Sequence, residues 1–226
     1  MGTKKIIKWI AYHTPAAKLY FRVKNVISKV AYKLPVISDY LKIKAYEHAG
    51  FSLGGYLKFR FFTLDKRIYW PHSKNCVISG AANIQIGMNC SIGSDGCYIQ
   101  GVGKLIFGNY VRVAMNVGIM SGNHNVLNHA EHIKKVTCIG DYSWIGMNSI
   151  ILPGVTLGPR TVVAAGSVVT KSFPDGFCVI AGNPAKIVKV LDRENFVVPH
   201  NKYNFYGYVP AEKFQKFKRK YLSCDE

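Results

Sequence analysis

Acidic side chains are scarce in this chain: across 226 residues, 12 Asp and Glu face 30 Lys and Arg, a formal charge of +18. So basic a balance raises nucleic acid as a partner, but no nucleic-acid-binding motif accompanies it, and none is expected to bind. Long apolar runs are also missing. No stretch of 18 apolar residues occurs, which argues against a helix that crosses a bilayer. The six cysteines, Cys76, Cys90, Cys97, Cys138, Cys178 and Cys224, form no CxxC pair, and no signal peptide is expected ahead of them. A reduced, cytoplasmic setting is therefore expected, with cysteine used as a small hydrophobe.

The excess charge is unevenly spread. Residues 1–70 carry 14 Lys and Arg against 3 Asp and Glu, residues 71–190 carry 9 against 4, and residues 191–226 carry 7 against 5. In the first region Val23, Val26, Ile27, Val30, Ala31 and Leu34 follow helical spacing, beside a stripe of Lys18, Arg22, Lys29 and Lys33. That spacing predicts an amphipathic helix ending before Pro35. Two roles fit it: packing on the body with the charged stripe in water, or peripheral contact with an anionic membrane face helped by Ile6, Ile7, Trp9 and Ile10. In the last region Phe214, Phe217 and Tyr221 have helical spacing after Pro210, which predicts a short C-terminal helix. The chain thus reads as a basic, mainly helical region (1–70), a central domain (71–190) and a tail (191–226).

The central domain has a period that suits neither an isolated helix nor an isolated strand. Ile139, Ile145, Ile151, Leu157, Val163 and Val169 stand six apart. Mostly small residues follow them directly (Gly140, Gly146, Leu152, Gly158, Ala164, Thr170), and Ser143, Ser149, Val155, Thr161 and Ser167 come four residues after. Such hexads mark a β-helix whose coils bury their inward residues against one another, with glycine expected at corners that need unusual dihedrals. Weaker traces run upstream through Ile86, Ile92 and Tyr98, then Phe107, Val113 and Ile119. Between Ile119 and Ile139 the segment MSGNHNVLNHAEHIKKVTC breaks the pattern and reads as a loop thrown out from the coil.

The block IGDYSWIGMNSIILPGVTLGPRTVVAAGSVVTKSFPDGFCVIAGNPAKIVK (139–189) resembles the hexapeptide-repeat acyltransferases, which include galactoside, maltose and xenobiotic acetyltransferases and surface-polysaccharide O-acetyltransferases. The resemblance covers residues 75–190. It implies a mainly β fold, a left-handed parallel β-helix, assembled as a homotrimer that holds acetyl-coenzyme A between subunits and needs no metal. It implies that His124, in NVGIMSGNHN, is the catalytic base, since an imidazole can take a proton from an acceptor hydroxyl and return it to the departing thiolate. Asp95 falls near the position where relatives hold the acceptor and, facing His124, would orient it as in triad logic, with Glu131 as the competing carboxylate. Trp144 matches an aromatic that flanks the acetyl and pantetheine arm. Gly146, Ala165 and Gly166 match the backbone along which that arm lies, and Lys171, Lys186 and Lys189 match cations near the coenzyme's phosphates. Asn116 and His129 are the expected substrate contacts, with a corner role as the alternative for Asn116 and a loop-shaping role for His129 and His132.

The expected function is acetyl transfer from acetyl-coenzyme A to a hydroxyl or amine of a sugar, in surface-polysaccharide synthesis, with a lipid-linked saccharide suiting the basic N-terminus. A xenobiotic acetyltransferase is an alternative acceptor class, and a non-catalytic trimeric scaffold at a membrane is an alternative of another kind. A zinc carbonic anhydrase of the same fold would use His124 and His129, but no histidine lies between His72 and His124 to supply a third ligand from an earlier coil.

Overall fold

The computed structural model describes residues 34–45, 51–198 and 201–222. It divides into two units, the first ending at Ala45 and the second running from Tyr46. In the first, a helix spans Pro35–Lys44, with Pro35 at its start and Lys42 and Lys44 in its last turn, where cations suit the helix dipole. The amphipathic helix expected before Pro35 lies outside the described residues. Among the described residues no helix is long and apolar enough to cross a membrane.

The second unit is a left-handed parallel β-helix with three sheet faces. The first face stacks Val77–Ser79, Tyr98–Gln100, Gly118–Met120, Ile150–Ile151 and Val168–Val169. The second stacks Ile84–Gln85, Lys104–Phe107, Val136–Ile139 and Thr156–Leu157, and the third stacks Arg112–Val113, Trp144–Ile145, Thr161–Val163 and Cys178–Gly182, closed by antiparallel Ala185–Val190. Parallel register sets each inward aliphatic on the one before it. Ile99, Ile119, Ile151 and Val169 form one column, Phe107, Ile139, Leu157 and Phe173 a second, and Val113, Ile145, Val163 and Ile180 a third. All are buried, so every hexad aliphatic from Ile139 to Val169 reaches the core. One upstream position does not: Tyr98 is 40% exposed and Ile99 is fully buried, because the coil after Ile92 is a residue longer than the hexad.

The glycines of the hexad answer a different need from the one expected. A Cβ on Gly158 would stand 2.1 Å from the Pro174 carbonyl oxygen, and one on Gly140 would stand 2.5 Å from the Gly158 carbonyl carbon. Close approach of neighbouring coils therefore selects glycine there. The left-handed dihedral falls two residues later, at Tyr142 (φ 60°), Asn148 (φ 58°) and Arg160 (φ 58°). Small hydroxyls fill the corners: Thr161 Oγ1 donates to the Gly158 carbonyl at 2.8 Å, and Ser149 Oγ reaches the Ala164 carbonyl of the next coil at 3.1 Å.

Left-handed residues of one corner column stack as a ladder. Tyr110 and Tyr142 lie parallel with centroids 5.0 Å apart, and the Arg160 guanidinium sits 5.1 Å from Tyr142 and 5.3 Å from Phe177, against Phe196. The tail forms the expected helix, Ala211–Tyr221. Phe214 stacks on Tyr206 at 3.8 Å, Phe214 and Phe217 meet Tyr69 at 5.5 and 5.7 Å, and Phe59 stacks on Tyr208 at 4.8 Å. Residues 51–70 and 201–222 thus form an aromatic annex on the coils. Cys76, Cys90, Cys97 and Cys178 are buried thiols, and burial pushes Cys76 and Cys90 up to about 12.

Candidate active site

The break after Ile119 is an antiparallel hairpin with a stitched tip. Gly122–His124 pairs with His132–Lys134, placing His124 opposite His132. At its base the Lys135 amide donates to the Ser121 carbonyl (2.8 Å), so the chain leaves and rejoins the coil at one point, between the first and second faces. At its tip the Asn125 amide donates to the Glu131 carbonyl (2.9 Å), and Asn125 and Asn128 turn the chain by accepting from the amides of Leu127 and Ala130.

His124 is held by its backbone neighbour. Its Nδ1 lies 2.7 Å from the His129 carbonyl oxygen. A carbonyl only accepts, so Nδ1 carries the proton, and in the neutral ring Nε2 keeps a free lone pair. The His132 ring lies 4.4 Å away, centroid to centroid. Neither expected carboxylate orients His124 within the chain. Asp95 accepts from Ser73 Oγ and from Asn75 Nδ2 at 3.4 Å, and Glu131 accepts from Asn125 (3.1 Å) and Asn128 (2.9 Å). Among the described residues no group of three or more His, Cys, Asp or Glu is placed to hold a metal ion.

The other expected residues fall on different sides of the coil. Trp144 is 56% exposed on the third face, paired with Arg112 on one side and Val162 on the other. The same outward line continues to Val179, opposite Lys189, while Lys186 lies opposite Ala181. At strand spacing, Trp144 to Lys189 spans about 14 Å. Asp95, Asn116, Ala165 and Gly166 occupy the adjoining edge between third and first faces, where the Asn116 amide donates to the Asp95 carbonyl at 2.9 Å. Asn116 (φ 58°) is a corner residue there, its side chain filling the space over Gly96. Gly146 is buried, and a Cβ on it would stand 2.7 Å from the Ala165 nitrogen, so coil stacking alone requires it to be small. Gly166 is the open one: nothing lies within 4 Å of a Cβ built on it. Lys171 follows Val169 onto the edge that carries the hairpin, away from Trp144.

Two neighbours escaped the sequence reading. Arg112 precedes inward Val113 as Trp144 precedes Ile145, so the shared hexad slot was the available signal. The orienting His129 carbonyl had none, since every residue carries one.

Residues 139–171 match the family model described as "Bacterial transferase hexapeptide (six repeats)". These 33 residues are thus hexapeptide repeats of the kind that model describes. A Saccharomyces cerevisiae protein named "Putative acetyltransferase YJL218W" is 36% identical over 127 residues, covering 54% of this chain and 63% of that protein. A Staphylococcus aureus protein named "Putative acetyltransferase SAR2635" is 34% identical over 116 residues, covering 50% and 57%. The chain thus spans less than two thirds of these relatives. A solved galactoside acetyltransferase in complex with coenzyme A shares the fold, with 23% identity, 77% of this chain and 91% of that chain covered, and a TM-score of 0.52.

Proposed function

We propose that the chain is an acetyl-coenzyme A-dependent O-acetyltransferase with a sugar acceptor, in which His124 is the general base. The His124–His129 carbonyl bond carries this reading, because it fixes the tautomer that leaves Nε2 able to take a proton. In this mechanism Nε2 accepts the proton of the acceptor hydroxyl as that oxygen attacks, and the His129 carbonyl supports the imidazolium so formed. Nε2 then returns the proton to the departing sulfur. Acetyl-coenzyme A supplies the activated acetyl group as its thioester.

The third face suits that donor. An exposed indole, an adjoining edge open at Gly166 and Lys186 and Lys189 at the far end would meet the acyl arm, the pantetheine chain and the phosphates respectively. The hairpin stands on the opposite edge, so a hairpin from a second copy would complete each site, in keeping with a homotrimer. Asp95, with Ser73 and Asn75, would then meet the acceptor. Surface-polysaccharide synthesis at a cytoplasmic membrane face fits the basic composition.

The test is calorimetric titration with acetyl-coenzyme A beside Lys186→Ala/Lys189→Ala, followed by acceptor turnover with His124→Ala. Saturable binding weakened in the double variant is expected, with turnover down about 10²- to 10⁴-fold in His124→Ala and coenzyme affinity retained. No binding to the folded protein would refute the donor and favour a scaffold.

A further inference from the structure

Away from the coils, the annex holds a hollow of about 490 Å³ between the π-helical turn Lys58–Phe62 and the C-terminal helix. Arg60, Lys66, Lys213, Lys216 and Lys220 line it, and among the described residues no carboxylate does. The three helix lysines share one stripe by their spacing. Asp65, the acid nearest Lys66 in sequence, is spent on Arg67 at 2.5 Å. Phe59 and Phe217 form an aromatic floor, with the Lys66 ammonium 4.5 Å from the Phe59 centroid. Burial holds Lys66 below the ordinary lysine range, and its ammonium donates to the Phe59 carbonyl.

The rim of this hollow is apolar. Phe61, Phe62 and Leu64 are 61%, 77% and 96% exposed, and they lie in sequence between Arg60 and Lys66. A folded chain leaves such a cluster bare only at some cost. A protruding apolar wedge beside a hollow lined by five cations matches what an anionic bilayer offers: acyl chains for the rings and phosphate headgroups for the ammoniums.

We propose that this annex is a membrane-docking surface, in which Phe61, Phe62 and Leu64 enter the interface and the hollow seats the phosphate of an anionic lipid. It is separate from the candidate active site and does not depend on the acetyl-transfer reading. It also differs from the contact expected of the first 35 residues, since it lies wholly within the second unit.

The test is co-sedimentation of the full chain with phosphatidylcholine vesicles, with and without phosphatidylglycerol. The parent is compared with Phe61→Ser/Phe62→Ser/Leu64→Ser and with Lys216→Glu/Lys220→Glu, each checked for a native circular-dichroism spectrum and sedimentation velocity. Binding is expected only to phosphatidylglycerol vesicles, weakened at least about tenfold by the wedge variant and about fivefold per cation in the charge variant. Four results overturn the proposal. The parent fails to bind, or both variants bind as the parent does, which moves the contact to the N-terminal residues. Alternatively, the charge variant alone weakens and inorganic pyrophosphate competes, which makes the hollow a soluble-phosphate site. Lastly, the wedge variant changes oligomeric state, which makes the wedge an interface between copies.

Discussion

The coils and the annex are two solutions to burying a core. In the coils each layer repeats the last, with an aliphatic on an aliphatic, a hydroxyl bonded to the next carbonyl and a glycine where backbones touch. In the annex nothing repeats. Tyr69, Phe59, Phe214 and Phe217 meet at interplanar angles from 20° to 60°, each set by the shape of its neighbours. The repeat spreads its stability over many equivalent contacts, whereas the annex concentrates it in a few rings, so damage should spread in one and stay local in the other.

The strongest way to break that contrast is Ile145→Asp, which puts a carboxylate between Val113 and Val163 with no partner. A cost of at least about 4 kcal/mol is expected, enough to prevent folding, read as loss of soluble protein. Phe214→Ala should cost about 3 kcal/mol. Hydrogen exchange should show amides of 205–221 losing protection while those of 139–180 keep it; equal loss in both would show that annex and coils unfold as one. Gly158→Ala should cost about 2 kcal/mol, since the contact at 2.1 Å is with backbone and the coil must shift. Arg160→Ala removes the guanidinium from the ladder and should cost about 1 kcal/mol, read as a small fall in the urea midpoint. Smallest of all should be the effect of a thiol reagent at pH 8 on Cys76 and Cys90. Their pKa values, raised to about 12, leave almost no thiolate until the pH approaches that value or the chain unfolds.

The same contrast explains what could be read in advance. Ile139 to Val169 land in the core because a six-residue period has one physical use, and the tail helix followed from Phe214, Phe217 and Tyr221. Tyr98 misled because a single extra residue changes which neighbour points inward. Gly146 was legible as small, but whether a ligand or a neighbouring coil demands it depends on a distance. At the candidate site, resemblance picked out His124, and the pairing with His132 needed the hairpin register. The partners of Asp95 within the chain were not legible because they are set by which coil it meets, here the turn holding Ser73 and Asn75.

The closed base of the hairpin makes the segment that carries His124 a detachable cassette. Because Ser121 and Lys135 are already bonded to each other, and Thr137 Oγ1 is anchored to the Met120 carbonyl at 2.8 Å, the solenoid's path is complete without the residues between them. A chain in which a short corner joins those two positions should keep every column in register. It would offer an inert frame onto which hairpins of other lengths and chemistries could be grafted, so that reactivity could be exchanged without rebuilding the body that carries it.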